Sequence, residues 1–115
     1  MYVDLYKDTA LTTATGVIYS QSINLDSFVL KVWKFALYHT HAGATSTLTV
    51  IIQYSPDGFT WVNGATLVNA GAVATAVINI GEAALGFPHA MPYIRFSFQA
   101  GTANISAFSA TLGLF

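Results

Sequence analysis

The chain has no cysteine, so disulfide staples, thiolate metal sites and thiol catalysis are all excluded, and the redox compartment is left open. Charge is scarce as well. Only 8% of the residues are charged, four basic and five acidic, against about a quarter in an ordinary globular protein. No cluster of Lys and Arg is available to meet a phosphate backbone, so no nucleic-acid partner is expected. Long apolar runs are missing too. None approaches the roughly 18 residues of a spanning helix, and the opening residues Met1 to Asp8 have neither the basic nor the apolar region of a signal peptide. A membrane β-barrel would need more strands of about ten residues than 115 residues comfortably supply, so no membrane partner is expected.

What the chain does have is apolar side chains, 54% of the total. At 115 residues it is one domain, long enough to bury roughly two thirds of its unfolded surface. A chain this apolar and this poor in charge suits a permanent interface, where charged groups are depleted. A homo-oligomer or a larger assembly is the expectation.

The segment that sets the fold class is Ser46 to Trp61. Leu48, Val50, Ile52 and Tyr54 alternate with Thr49, Ile51 and Gln53, the period-two pattern of a half-buried strand. Ser55-Pro56-Asp57-Gly58 reads as a tight turn, with Phe59, Thr60 and Trp61 starting the return strand. Asn63-Gly64 then reads as a second tight turn, because that dipeptide favours two-residue hairpins.

Around this hairpin the chain divides into an amino-terminal arm or edge strand, 1–16, and a single sandwich domain, 17–115. Residues 2–6 form a short strand with Tyr2, Asp4 and Tyr6 on one face, and Thr9 to Gly16 are loop or edge strand. Val17 to Tyr19 and Ile23 to Leu25 form a segment broken at Ser20-Gln21-Ser22, with Asn24 and Asp26 at the bend. Phe28 to Tyr38 is the longest strand, favoured over a helix by its β-branched and aromatic content. Lys31 and Lys34 fall on opposite faces, which means a bulge near Trp33 or a strand crossing between two environments, and a small-residue turn from His39 to Thr45 follows. Val73 to Ile80 alternates again, and Gly81 to Pro92 is a long connection with room for one helical turn at Glu82 to Leu85. Tyr93 to Gln99 puts Ile94, Phe96 and Phe98 inward and Arg95, Ser97 and Gln99 outward. The last strand, Ile105 to Phe115, carries Phe108, Ala110, Leu112 and Leu114 on one side. Seven or eight strands in an all-β, antiparallel, jelly-roll-like sandwich result.

Sites of chemistry are few. His39-x-His41 places two imidazoles on one face of a strand, so both can reach one metal if His89 or Asp57 supplies a third ligand. Two histidines at a strand end are more commonly plain turn residues, and no metal or other cofactor is expected. The carboxylates Asp4, Asp8, Asp26, Asp57 and Glu82 each have a local structural explanation or stand alone, rather than facing one another across a cleft. No G-x-S-x-G nucleophile setting or glycine-rich phosphate loop is present, and no enzymatic activity is expected. Arg95 is the only arginine; it either pairs with an acid across a subunit boundary or keeps the outer face of its sheet soluble. Tyr2 and Tyr6 join it as candidate interface residues, and with Trp33, Tyr38 and Trp61 they also make up the chain's potential aromatic platform for a sugar.

Two stretches together resemble a known group of proteins. The alternating strand from Leu48 followed by Ser55-Pro-Asp-Gly-Phe-Thr-Trp has the form S-x-D-G-x-T-W, and Pro92-Tyr-Ile-Arg-Phe-Ser-Phe with Ile105 to Leu112 has the form of a closing hairpin. The arrangement resembles capsid decoration (cement) proteins and related small virion β-sandwiches of tailed bacteriophages. That resemblance implies a non-enzymatic protein, made in the host cytoplasm, that sits on the capsid exterior as a trimer and clamps neighbouring subunits of the major capsid protein. The same hairpin and Y-I-R strand also resemble discoidin-like and other jelly-roll carbohydrate-binding domains, which implies instead a glycan- or receptor-binding module. The first reading expects both tryptophans buried, and the second expects an exposed tryptophan or tyrosine in a groove.

Overall fold

The computed structural model describes residues 2–27, 34–42, 48–70, 75–84, 92–101 and 103–114. Over these the chain is an all-β sandwich of two antiparallel sheets. The first sheet runs β1 (Tyr2–Leu11), β9 (Ile105–Leu114), β4 (Lys34–Ala42), β7 (Thr75–Ala84). The second runs β2 (Ile18–Tyr19), β8 (Tyr93–Ala100), β5 (Leu48–Ser55), β6 (Val62–Ala70), and β3 (Ile23–Asn24) pairs farther along β8. Among the described residues nine strand segments stand where seven or eight are expected, because the segment around Ser20 yields two short strands, β2 and β3. Ser20 holds the break together: its N–H donates to the Phe96 carbonyl at 2.8 Å, and its hydroxyl accepts the Phe96 N–H at 2.9 Å. A 3-10 turn, Leu25–Ser27, follows β3.

The alternation in β5, β8 and β9 becomes the core. Leu48, Val50, Ile52 and Tyr54 are buried from β5, Ile94, Phe96 and Phe98 from β8, and Ile105, Phe108, Ala110, Leu112 and Leu114 from β9. Phe98 meets Phe108 across the sheet interface with ring centres 4.7 Å apart, so β8 and β9 are consecutive strands that face each other through the core. Each large side chain fully buried in this way contributes roughly 1.5–3 kcal/mol.

Four expectations are corrected here. Asn63-Gly64 is not a turn: both residues lie in β6, and the register passes from Ile51↔Thr66 to Gln53↔Asn63, so one extra residue bulges from β6. Gly64 sits at that bulge because a Cβ there would lie 2.5 Å from the Tyr54 ring and 3.0 Å from the Ile52 carbonyl oxygen. The return strand accordingly starts at Val62, and Pro56 to Trp61 form a longer loop. His39 to Ala42 are strand rather than turn, hydrogen-bonded to β9 on one side and β7 on the other. Glu82 to Ala84 continue β7 up to the Ala84↔Lys34 pair, where a helical turn is expected from sequence. The bulge expected near Trp33 lies outside the described residues. So do Phe28 to Trp33, the strand's first half.

β1 runs further than residues 2–6 and holds an outer position in the first sheet. Its pairing with β9 shifts between Asp4↔Thr111 and Tyr6↔Ala110, again after Tyr6, and again before Leu11↔Ile105. Asp8, at φ 47°, lies within this irregular stretch. The first shift breaks the expected common face of Tyr2, Asp4 and Tyr6. Tyr2 stays exposed and Asp4 accepts the Thr111 hydroxyl at 3.0 Å, while the Tyr6 ring packs on Phe98 and Phe108. Leu11, at the far end of β1, is fully buried.

Candidate interaction face

The outer surface of the second sheet is where polar and aromatic side chains converge. The register places Asn63, Gln53 and Arg95 in one row across β6, β5 and β8, and Tyr19 opposite Ser97 one step along β8. Directly paired residues share a sheet face, so this row forms once the register is set. The Arg95 guanidinium carbon lies 4.1 Å from the ring centre of Tyr19 and 4.3 Å from that of Trp61. A cation between two ring faces at these distances gains from both quadrupoles, by roughly 0.5–1 kcal/mol each at a partly exposed site. Arg95 Nε donates to Gln53 Oε1 at 2.7 Å, and Gln53 Nε2 donates to Asn63 Oδ1 at 2.6 Å. Behind this row Ser97 is buried.

Trp61 is therefore half-buried, one face against Arg95, rather than fully buried as the capsid resemblance implies. The reason is its position. It ends the loop ahead of β6, on the solvent side of the sheet.

That loop is organised by two side chains. Ser55 Oγ accepts the N–H groups of Asp57 at 3.3 Å and Gly58 at 2.8 Å, and donates its hydroxyl proton to Asp57 Oδ1 at 3.0 Å. Asp57 Oδ1 also accepts the N–H groups of Phe59 and Thr60, both at 2.8 Å. These bonds, that of Thr60 first, hold the Asp57 carboxyl down at about 2. Gly58 takes φ +82°, a conformation glycine adopts without strain. The result is a pinned loop with Phe59 at its tip, 89% exposed. Tyr19 and Val62, both nearly half exposed, lie on the same sheet.

The candidate site residues are dispersed. Arg95 is the centre of the aromatic stack, and Tyr2, 63% exposed, sits at the start of β1 in the other sheet. Tyr6 donates its hydroxyl to the Tyr19 carbonyl oxygen, linking the two sheets behind the stack, and burial raises its pKa. His39 and His41 occupy β4, paired to Ala110 and Phe108 of β9, whereas Asp57 is engaged in the loop of the second sheet. His89 lies outside the described residues, as does Trp33. Among the described residues no three of His, Cys, Asp and Glu come together. No helix among them is long and apolar enough to cross a membrane. An open depression of about 300 Å³ between Val3, Gln21, Ser22, Ile23, Asn24 and Ser27 contains no titratable side chain. Sequence reasoning missed Tyr19, Trp61 and Gln53 as partners of Arg95, and Asn63 as the partner of Gln53. The outward phase of Gln53 and Arg95 is a visible signal; their pairing is not.

No protein-family model matches the sequence, and no curated protein sequence matches it either. Solved structures do share its fold. It is similar to the PBSX exported protein XepA, with a TM-score of 0.70 and 17% identity over 99% of this chain and 36% of that one. It is also similar to a chain of infectious bursal disease virus strain Gx, with a TM-score of 0.59 and 15% identity over 97% of this chain and 30% of the other. A VP2 subviral particle of infectious bursal disease virus gives a TM-score of 0.57 and 12% identity over 97% and 31%. The chain thus spans about a third of the length of each of these chains. At such identities the likeness is one of fold.

Proposed function

We propose that this protein is a non-enzymatic structural component of a virion, which docks on the outer surface of a phage capsid and stabilises it by bridging neighbouring subunits. The observation that carries the reading is the loop from Ser55 to Thr60, whose hydrogen bonds hold Phe59 almost entirely in solvent. An aromatic carried on a pinned loop, two residues before the Trp61 of the Arg95 cluster, has the composition of an interface anchor, where aromatics and Arg are enriched. The small charge content and the fold shared with chains of virus particles support the same role. Such a protein works by avidity. Modest contacts, repeated by the symmetry of a shell and of a trimer, add to a stable closed structure.

The test is the heat stability of DNA-free shells of the encoding phage, with and without added protein. A raised disruption temperature at saturating protein supports the reading, and an unchanged one counts against it. Light scattering across a tenfold dilution is expected to give three times the chain mass.

A second reading, a carbohydrate- or receptor-binding module, is favoured by the partial exposure of Tyr19 and Trp61. Against it, each ring has one face occupied by Arg95 and withdrawn from sugar stacking. Sugar-dependent tryptophan fluorescence would support this alternative.

A further inference from the structure

We propose that Arg95 is the seat for one carboxylate, presented by an Asp or Glu side chain of a partner protein subunit. The choice of a protein partner rests on the docking role above; the seat itself rests on geometry alone.

A guanidinium carries five N–H donors, all in its own plane. In Arg95 the group lies over two rings, its carbon 4.1 Å from the centre of Tyr19 and 4.3 Å from that of Trp61. The Nε donor is taken by Gln53 Oε1. Gln53 cannot readily turn its amide over, because its Nε2 is committed to Asn63 Oδ1. The orientation of the plane is thus set from three directions. What remains is the end of the fork, the two terminal amino groups, for which no partner is found among the described residues.

The nearby acids are engaged elsewhere. Asp57 is tied into its loop, and Asp4 accepts from Thr111 on the other sheet. The remaining outward positions of β5 and β8 are Thr49, Ile51, Ser55, Tyr93, Ser97 and Gln99, all uncharged, so an arriving anion meets no like charge from them. Its shape is also restricted. Two rings lie against the cation and its Nε is taken, so the free end of the fork is what an anion meets, and a planar anion suits it. A carboxylate meets the end of the fork with two parallel hydrogen bonds, and the electropositive ring edges flank it favourably.

The seat is tested on the isolated protein by NMR, following the Arg95 Nε–H and the Trp61 indole N–H. The protein is titrated with acetate, with the α-amide of N-acetylglutamic acid, with glucuronate, and with chloride at matched ionic strength. Both signals are expected to shift saturably with the first two and not with chloride. Arg95→Lys, which keeps the charge and loses the fork, is followed on the Trp61 indole N–H alone and should weaken its response about tenfold or more. Shifts that match those of chloride, or that persist unchanged in Arg95→Lys, would overturn the seat. Should that variant fail to fold, the chloride comparison on the wild-type protein still decides. Glucuronate binding about tenfold tighter than the glutamate amide would overturn the assignment to a protein side chain. An intact carboxylate titration beside absent shell binding would count against the docking role and leave the seat standing.

Discussion

The Gln53 amide nitrogen lies 2.6 Å from the Asn63 side-chain oxygen, and this contact turns the opposite end of the amide toward Arg95. A pairing between β5 and β6 thereby orients a cation on β8. Removing the relay by Gln53→Ala is expected to cost about 0.5–1.5 kcal/mol in urea unfolding, and to change the Trp61 fluorescence as Arg95 loosens between its rings. An unchanged unfolding midpoint with unchanged fluorescence would mean that the rings alone hold the cation.

Gly64→Ala should be the more damaging of two glycine substitutions. The new methyl would overlap the Tyr54 ring at 2.5 Å and meet backbone at 3.0 Å, an overpacking worth about 1–3 kcal/mol. At Gly58 the added methyl has ordinary contacts with Tyr93 at 3.7 Å, and the cost there, about 1–2 kcal/mol, comes from a positive φ. Thermal unfolding of the two variants compares them. Gly64→Ala without loss of stability would show that β6 can shift its bulge.

Tyr6→Phe deletes the bond to the Tyr19 carbonyl and keeps the ring against Phe98 and Phe108, so a loss of about 1 kcal/mol is expected. Tyr6→Ala removes the ring as well and should cost about 2–4 kcal/mol. Equal losses in the two variants would show that the hydroxyl, and not the ring, closes this edge of the sandwich.

The loop that presents Phe59 should respond to acid in a defined direction. The folded-state pKa of Asp57, about 2, lies below its unfolded value of 3.8. Its contribution to stability is therefore fully present above the unfolded value and is lost as the pH falls through the folded one. The amide protons of Phe59 and Thr60, followed by NMR, should keep their positions down to about pH 4 and move together as the pH drops toward 2. Asp57→Asn, which keeps the acceptor oxygen and loses the charge, should abolish that acid transition. Movement already centred near the unfolded pKa would mean that the loop bonds are weak in solution.

Strands with strict alternation were legible from sequence. β5 and β8 bury alternate residues along their length and β9 does so from Phe108 to Leu114, so period two locates them and names most of the core. β6 was not, since Asn63-Gly64 carries the local chemistry of a hairpin turn and only contact with Tyr54 and Ile52 makes the glycine a bulge residue. The inward turn of Tyr6 is hidden for the same reason: one extra residue in β1 reverses its face, and no local pattern announces it. The Arg95 site was half legible. Its outward phase follows from alternation, but Tyr19 and Trp61 come from distant segments that become neighbours only through sheet order.

The most direct test of the proposed docking is co-sedimentation of the wild-type protein and Phe59→Ser with DNA-free phage shells. Phe59 is 89% exposed, so the substitution should leave the melting temperature unchanged. The wild-type protein is expected to pellet with the shells to saturation, and Phe59→Ser to bind them about tenfold or more weakly, as the loss of an interface anchor requires. Wild-type protein that stays in the supernatant, or a serine variant that binds as tightly as wild type, would contradict the account.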